Sequence, residues 1–238
     1  MKLYRTIAIN ECGEALVSIP SGLFAQFDPP PYIALGADYG NESPWMLRVG
    51  VVNALLAAQR RLQVKHPGWK IMLFDAYRPR SVQTYMVERE FGIKAKKAGH
   101  DPQNLTPEQR KQLSEKVFKY WAIPSDDPKN PPPHTTGAAL DLTLADEKGR
   151  EIDMGSPIDE GTPPAAPDYF AKATDTASQQ AHANRILLRT IMEAETFHQH
   201  PEEWWHFSRG DQLWAWVERQ TRANPTATAF YGRADLLK

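Results

Sequence analysis

The stretch His134-Thr135-Thr136-Gly137-Ala138-Ala139-Leu140-Asp141-Leu142-Thr143-Leu144 decides how this chain is read. From Ala139 onward, Leu140, Leu142 and Leu144 alternate with Ala139, Asp141 and Thr143, the period-two pattern of a half-buried strand. Ahead of that strand stands His134. A continuous strand from His134 to Asp141 would span about 23 Å, so the two side chains can meet only if the chain folds back between them. Thr136-Gly137 is the place where a turn or bulge can do this.

Working outward, Ser43-Pro44 reads as an N-cap and first helical position, followed by Leu47, Val51, Leu55, Ala58 and Leu62 at helical spacing. His66-Pro67-Gly68 ends that helix. Lys70 to Phe74 is an apolar run between turn signals, a buried strand that delivers Asp75-Ala76-Tyr77-Arg78-Pro79 at its end. A helix from about Ser81 to Glu90 is expected to stop at Gly92. Thr106-Pro107-Glu108-Gln109 is a capping box opening a helix with Leu113, Val117, Phe118 and Trp121. Further on, a long helix is expected from about Gln179 to Phe197, then a strand or turn over Glu203 to Phe207, and a last helix capped by Asp211. Strands and helices mixed without a regular β-α-β beat give an α+β fold, read as one domain over residues 1–238.

Composition excludes several classes. Hydrophobic residues at 41% and charged residues at 24% are ordinary globular values, so wholesale disorder is out. Lys plus Arg number 28 against 29 Asp plus Glu, which provides no long-range pull toward nucleic acid or an anionic membrane. The lone Cys12 excludes an internal disulfide and every multi-cysteine zinc framework. Asn10, Glu11 and Glu14 interrupt any leader after Lys2 and Arg5, and no stretch approaches the ~20 apolar residues of a membrane helix. A cytoplasmic protein with no nucleic-acid or membrane partner is expected. Oligomeric state is not legible. Proline is in excess, 20 of 238 residues, and nine fall between Pro124 and Pro133 or between Pro157 and Pro167. Proline fixes φ, so both groups read as stiffened loops.

The common catalytic signatures are missing: no G-x-G pair, no P-loop, no G-x-S-x-G and no H-E-x-x-H. What remains is the histidine set. A catalytic zinc wants three ligands from His and Asp/Glu, with a nearby carboxylate that is not a ligand to take a proton from water. His134, Asp141 and His206 as ligands with Glu203 as base meet that requirement. In a regular strand Glu203 and His206 would face opposite ways, so a helical turn over Pro201 to Trp205 is expected. Blander readings exist for each residue. Asp141 could face water, His134 could be a loop histidine, and Glu203-Trp204-Trp205-His206 could be a packed aromatic patch. His198 and His200 compete as ligands but read better as imidazoles complementing a helix C-terminus.

The joint pattern His-x-x-Gly-x-Ala-x-Asp, followed by Glu-x-Trp-His ending 65 residues after Asp141, resembles the zinc D-Ala-D-Ala dipeptidase family. That family is related in fold to DD-carboxypeptidases and hedgehog domains. Phe74-Asp75-Ala76-Tyr77-Arg78-Pro79, Asp153-Met154-Gly155-Ser156-Pro157-Ile158-Asp159 and Trp205-His206-Phe207 are also family-like and fall in the right order. The resemblance implies a small antiparallel sheet carrying one zinc ion per chain, flanked by helices. It implies zinc ligands His134, Asp141 and His206, general base Glu203, Arg78 steadying the tetrahedral intermediate, and Asp159 receiving the substrate ammonium. It departs at Pro132, where the family often has a serine suited to a substrate carboxylate. The implied activity is hydrolysis of the D-Ala-D-Ala dipeptide. A DD- or LD-carboxypeptidase acting on longer peptides, and a binding module with a structural zinc, are the alternatives. Manganese, cobalt or iron could occupy the same ligands.

Overall fold

The computed structural model describes residues 3–221 and 224–237; Met1 and Lys2, part of the stretch weighed as a leader, lie outside them. In chain order the elements are β1 (Leu16–Ser18), β2 (Ala25–Gln26), α1 (Pro31–Ala34), β3 (Met46–Arg48), α2 (Val49–Lys65), β4 (Lys70–Asp75), α3 (Arg80–Lys97), α4 (Pro107–Tyr120), β5 (Ala139–Ala145), α5 (Thr176–Glu193), β6 (His198–Gln199), β7 (His206–Ser208) and α6 (Gln212–Gln220). Five strands make one sheet in the order β2-β4-β5-β7-β6, and β1 pairs with β3 separately. The fold is α+β. The main sheet is antiparallel except at its edge, where β2 runs parallel to β4. That pair is joined by a long crossover through α1, β3 and α2, as parallel pairing requires.

Strand β5 is central, and all seven of its residues are buried rather than half of them. Leu140, Leu142 and Leu144 face the main core, as their alternation predicts. The opposite face is enclosed too, because His134, Arg78 and His206 close around Asp141. Leu55, Ala58 and Leu62 of α2 join Ile71 and Leu73 of β4 and Leu188 and Ile191 of α5 in the same core. Each fully buried leucine or isoleucine among these stabilises the fold by about 1.5–3 kcal/mol.

Element boundaries moved where tertiary contacts outweigh local signals. Residues Met46–Arg48, expected inside the first long helix, pair as a strand with Leu16–Ser18, so α2 begins at Val49. Ser43 caps only a local turn, its Oγ accepting from Trp45 N at 3.1 Å. Helix α3 runs straight through Gly92. A mid-helix glycine costs about 1 kcal/mol, which the burial of Phe91 and Ala95 against Leu113 and Val117 of α4 offsets. The capping box of α4 is present in both directions, Gln109 N to Thr106 Oγ1 and Thr106 N to Gln109 Oε1. Helix α5 starts earlier than expected because Asp175 accepts from Ser178 N at 2.9 Å. It ends at Glu193, and Thr196 at φ +63° turns the chain into β6. Asp211 caps α6 through Trp214 N at 2.8 Å. Among the described residues, no helix is long and apolar enough to cross a membrane.

Candidate metal centre and active-site cleft

Strand pairing brings three chemistry-bearing positions side by side. Asp141 of β5 lies directly opposite His206 of β7, and on its other flank opposite Asp75 at the end of β4. His134 reaches the same spot by the fold-back the sequence requires: a 3-10 turn over Pro133–Thr136, closed by Gly137 at φ +69°. His134, Asp141 and His206 thereby each place a donor atom within 4.8 Å of the others, all three buried. His134 Nε2 is 3.2 Å from His206 Nδ1 and 3.3 Å from Asp141 Oδ2, and His206 Nδ1 is 3.0 Å from Asp141 Oδ1. Donors at 2.0–2.1 Å from a tetrahedral zinc are about 3.3–3.4 Å apart. The triad fits such an ion with displacements of a few tenths of an ångström.

The outer nitrogens of both imidazoles are engaged, which orients the inner ones. His134 Nδ1 lies 2.8 Å from the Ala76 carbonyl, so it carries the proton and leaves Nε2 as a lone-pair donor. On the other side, His206 Nε2 is 3.3 Å from Ser208 Oγ, whose hydroxyl donates to Asp211 Oδ2 at 2.9 Å. Burial pushes the Asp141 carboxyl up, but the charges and hydrogen bonds of His134 and His206 outweigh it and hold it well below the usual range. Burial opposes the charge on His134, and Asp141 again prevails, raising the imidazole.

Arg78 stands against the triad with its Nη2 at 3.5 Å from Asp141 Oδ2. Its guanidinium is fixed on several sides: Nε donates to Asp75 Oδ2 at 3.1 Å, Nη1 to Gln83 Oε1 at 2.9 Å and Nη2 to Tyr32 Oη at 2.9 Å. The Tyr32 ring lies under it at 4.5 Å and Trp121 at 5.5 Å. Burial disfavours the charge, yet Tyr32, Asp75 and Asp141 together keep Arg78 protonated. Tyr32 Oη also donates to Asp159 Oδ2 at 2.8 Å, so Asp159 joins the same network. Burial pushes the Asp159 carboxyl up to about 6, with the charge of Asp141 adding to the effect. Asp159 itself sits at φ +63°.

Glu203 lies on the His206 side, Oε2 at 3.9 Å from His206 Nδ1. The helical turn expected over Pro201 to Trp205 is instead two successive turns, at Pro201–Glu202 and Trp204–Trp205, with Glu203 N bonded to His200 O at 3.3 Å. His206 opens β7, whose pairing with β5 breaks any helix there. His198 does not complement a helix end; it lies in β6 with Nε2 2.8 Å from Glu218. His200 borders the site, its ring 5.5 Å from that of His206, outside the triad. The triad, Arg78, Asp159 and Glu203 line one cleft. From the sequence, Asp75, Tyr32, Gln83 and Ser208 had no assigned role, and Asp211 was read only as a helix cap. Asp75 alone left a trace, standing three residues before Arg78 inside a stretch already singled out.

A family model described as D-Ala-D-Ala dipeptidase, a peptidase family, matches residues 26–225. The chain belongs to this family. A D-alanyl-D-alanine dipeptidase of Synechocystis sp. is 42% identical over 241 residues, covering 99% of this chain and 98% of that protein. Proteins of the same name from Escherichia coli and Enterococcus faecalis are 29% and 27% identical over 140 and 163 residues, covering 59% and 67% of this chain and 55% and 71% of theirs. Among solved structures, that of the LdcB LD-carboxypeptidase aligns with 93% of this chain and 85% of its own at 14% identity and a TM-score of 0.46. As a member of the D-Ala-D-Ala dipeptidase family, the chain is a peptidase, and its His-Asp-His cluster could hold a metal ion.

Proposed function

We propose that this family member is a single peptidase domain that hydrolyses the D-Ala-D-Ala dipeptide, with one zinc ion held by His134, Asp141 and His206. The observation that carries the reading is the three-donor cluster at tetrahedral spacing, flanked on one side by Arg78 and on the other by Glu203. A bound zinc supplies Lewis acidity, polarising a carbonyl oxygen and making water a better nucleophile at neutral pH. Glu203 removes a proton from the attacking water and returns it to the amide nitrogen as the C–N bond breaks, releasing two alanines. Arg78, permanently charged and fixed by Asp75, Gln83 and Tyr32, stabilises the negative charge that develops on the carbonyl oxygen. Its contact to Asp141 at 3.5 Å is the longest of its set, so that edge of the guanidinium yields most readily to a developing oxyanion.

Asp159 receives the free ammonium of the substrate. Its carboxylate is buried and hydrogen-bonded to Tyr32, which fixes the distance between the ammonium subsite and Arg78. Pro132 carries no hydroxyl for the substrate carboxylate, so that end of the dipeptide is read by other groups of the cleft. Likeness to a D-alanyl-D-alanine dipeptidase over nearly the whole of both chains favours a dipeptide over the longer chains a carboxypeptidase takes. A structural zinc would have its fourth position closed by protein, whereas among the described residues only three donors converge here. We assign the reaction to the cytoplasm, in keeping with the lone unpaired Cys12. The test is hydrolysis of D-Ala-D-Ala, L-Ala-L-Ala and a D-Ala-D-Ala-terminated pentapeptide, with and without chelator. Chelator-sensitive cleavage confined to the first peptide is expected; cleavage of the pentapeptide in preference would favour the carboxypeptidase.

A further inference from the structure

The cleft has two distinguishable ends. Asp159, Tyr32 and Arg78 form a hydrogen-bonded chain on the Asp141 side of the triad, while Glu203 stands on the His206 side. A peptide with its ammonium at Asp159 and its carbonyl at the triad must direct its leaving amine past Glu203. Tyr4 and His200 line that part of the cleft, and both are buried, 6% and 8% exposed. The same two residues also line a separate, mainly apolar depression, with Leu3, Pro201, Leu213, Trp216 and the carboxylate-bearing Glu202 on its other sides. Two side chains thus separate the leaving-group end of the cleft from a second hollow.

We infer that Tyr4 and His200 form the wall that sets substrate length, limiting the leaving group to one amino acid. The inference rests on the dipeptidase reading above and adds the residues that enforce it. Both members are held in place. His200 N donates to His206 O at 2.9 Å, and its Nδ1 accepts from Glu202 N at 3.1 Å. Tyr4 sits in a 3-10 turn over Leu3–Thr6, closed by Ile7 N on Tyr4 O at 3.1 Å. That turn is tied down by Gln212 Nε2, which donates to Ile7 O at 2.6 Å, and by Arg5 Nη2, which donates to Ile123 O at 2.9 Å. Burial pushes the Tyr4 phenol up, and the charges of Asp211 and Glu203 add to this, so the wall presents a neutral ring to the substrate. Tyr4 also lies outside residues 26–225, so this part of the cleft comes from a segment beyond the one the family model covers.

Removing the Tyr4 ring should join the cleft to the depression and admit one further residue. The full-length, zinc-loaded chain is assayed on D-Ala-D-Ala and D-Ala-D-Ala-D-Ala, and the ratio of kcat/KM, tripeptide over dipeptide, is compared between wild type and variants. Tyr4→Ala should raise that ratio at least fivefold, with D-Ala and D-Ala-D-Ala as the initial products, the dipeptide then being cleaved in turn. Tyr4→Leu, which keeps an apolar filler for the turn, covers the case in which the alanine variant does not fold and should raise the ratio in the same direction. Tyr4→Phe keeps the ring and should retain the wild-type ratio. A smaller rise in the folded variants, or an equal rise in Tyr4→Phe, overturns the wall. Wild-type protein that binds zinc but leaves D-Ala-D-Ala intact refutes the dipeptidase reading itself, and the wall with it.

Discussion

Replacing Gly137 with alanine tests the turn that joins the first two proposed ligands. Gly137 sits at φ +69°, a region that costs an L-residue about 1–2 kcal/mol. An added Cβ would come within 2.5 Å of Leu16 Cδ1 and 3.5 Å of the Arg48 backbone nitrogen. Leu16 is only partly buried, so its tip can swing aside into a poorer rotamer for about 1 kcal/mol. The Arg48 side chain has no such freedom, being fully buried with Nε on Thr136 O at 2.7 Å, while Arg48 N donates to Gly137 O at 2.8 Å. The sum is a loss of about 2–3 kcal/mol, or roughly 30- to 150-fold in the folding equilibrium. Gly149 supplies the control. It has φ +77° and open space around its missing Cβ, so Gly149→Ala should lose only the backbone part, about 1–2 kcal/mol, and no zinc affinity. Urea unfolding of both zinc-free variants gives the stabilities, and zinc titration gives the affinities. Equal destabilisation of the two, with unchanged zinc binding in Gly137→Ala, would refute the argument that this turn is set for the metal site.

Two further outcomes are expected. Ser208→Ala removes the hydroxyl between His206 Nε2 and Asp211, and should weaken zinc binding by about 10- to 100-fold in a competition titration with little change in fold. Asp159 is raised to about 6, so its carboxylate is lost as pH falls through that value and KM for D-Ala-D-Ala should climb on the acid side. The Asp159→Asn variant should show a high KM without that step; a step that persists assigns the titration to another group.

The legible part of the fold is the part fixed by local chemistry. The stripe of Leu55, Ala58 and Leu62, the capping box at Thr106 and the Asp211 cap depend on near neighbours, and all are found as read. Met46–Arg48 was misread because its partner strand lies some thirty residues upstream, and Gly92 because α4 supplies the contacts that carry α3 past it. The fully enclosed β5 follows from pairing on both sides, which alternation along one strand does not reveal. At the site, residue type offered His134, Asp141, His206 and Glu203 only as candidates beside blander readings, and the resemblance singled them out and added Arg78 and Asp159; the fold brings the three proposed ligands together. The groups that orient them were not visible. Asp75 meets the triad through strand register, Tyr32 from the short helix α1 far upstream, and Ser208 and Asp211 look like an ordinary strand end and helix cap until His206 is seen above them. The prolines sharpen the same point. Pro132 and Pro133 lead into the 3-10 turn of His134, and Pro163 and Pro164 open a second such turn, whose Ala165 carbonyl accepts from Trp204 N beside Glu203.

In the proposed mechanism Glu203 moves a proton without holding the metal. The most direct measurement is zinc stoichiometry and D-Ala-D-Ala turnover of Glu203→Ala beside wild type, each purified and reloaded with zinc. One zinc per chain is expected in both proteins, with turnover in the variant lowered by at least a hundredfold, in line with the about 10²–10⁴-fold contribution of general acid–base catalysis. Loss of zinc together with activity would contradict it, making Glu203 a ligand, as would a variant that keeps both.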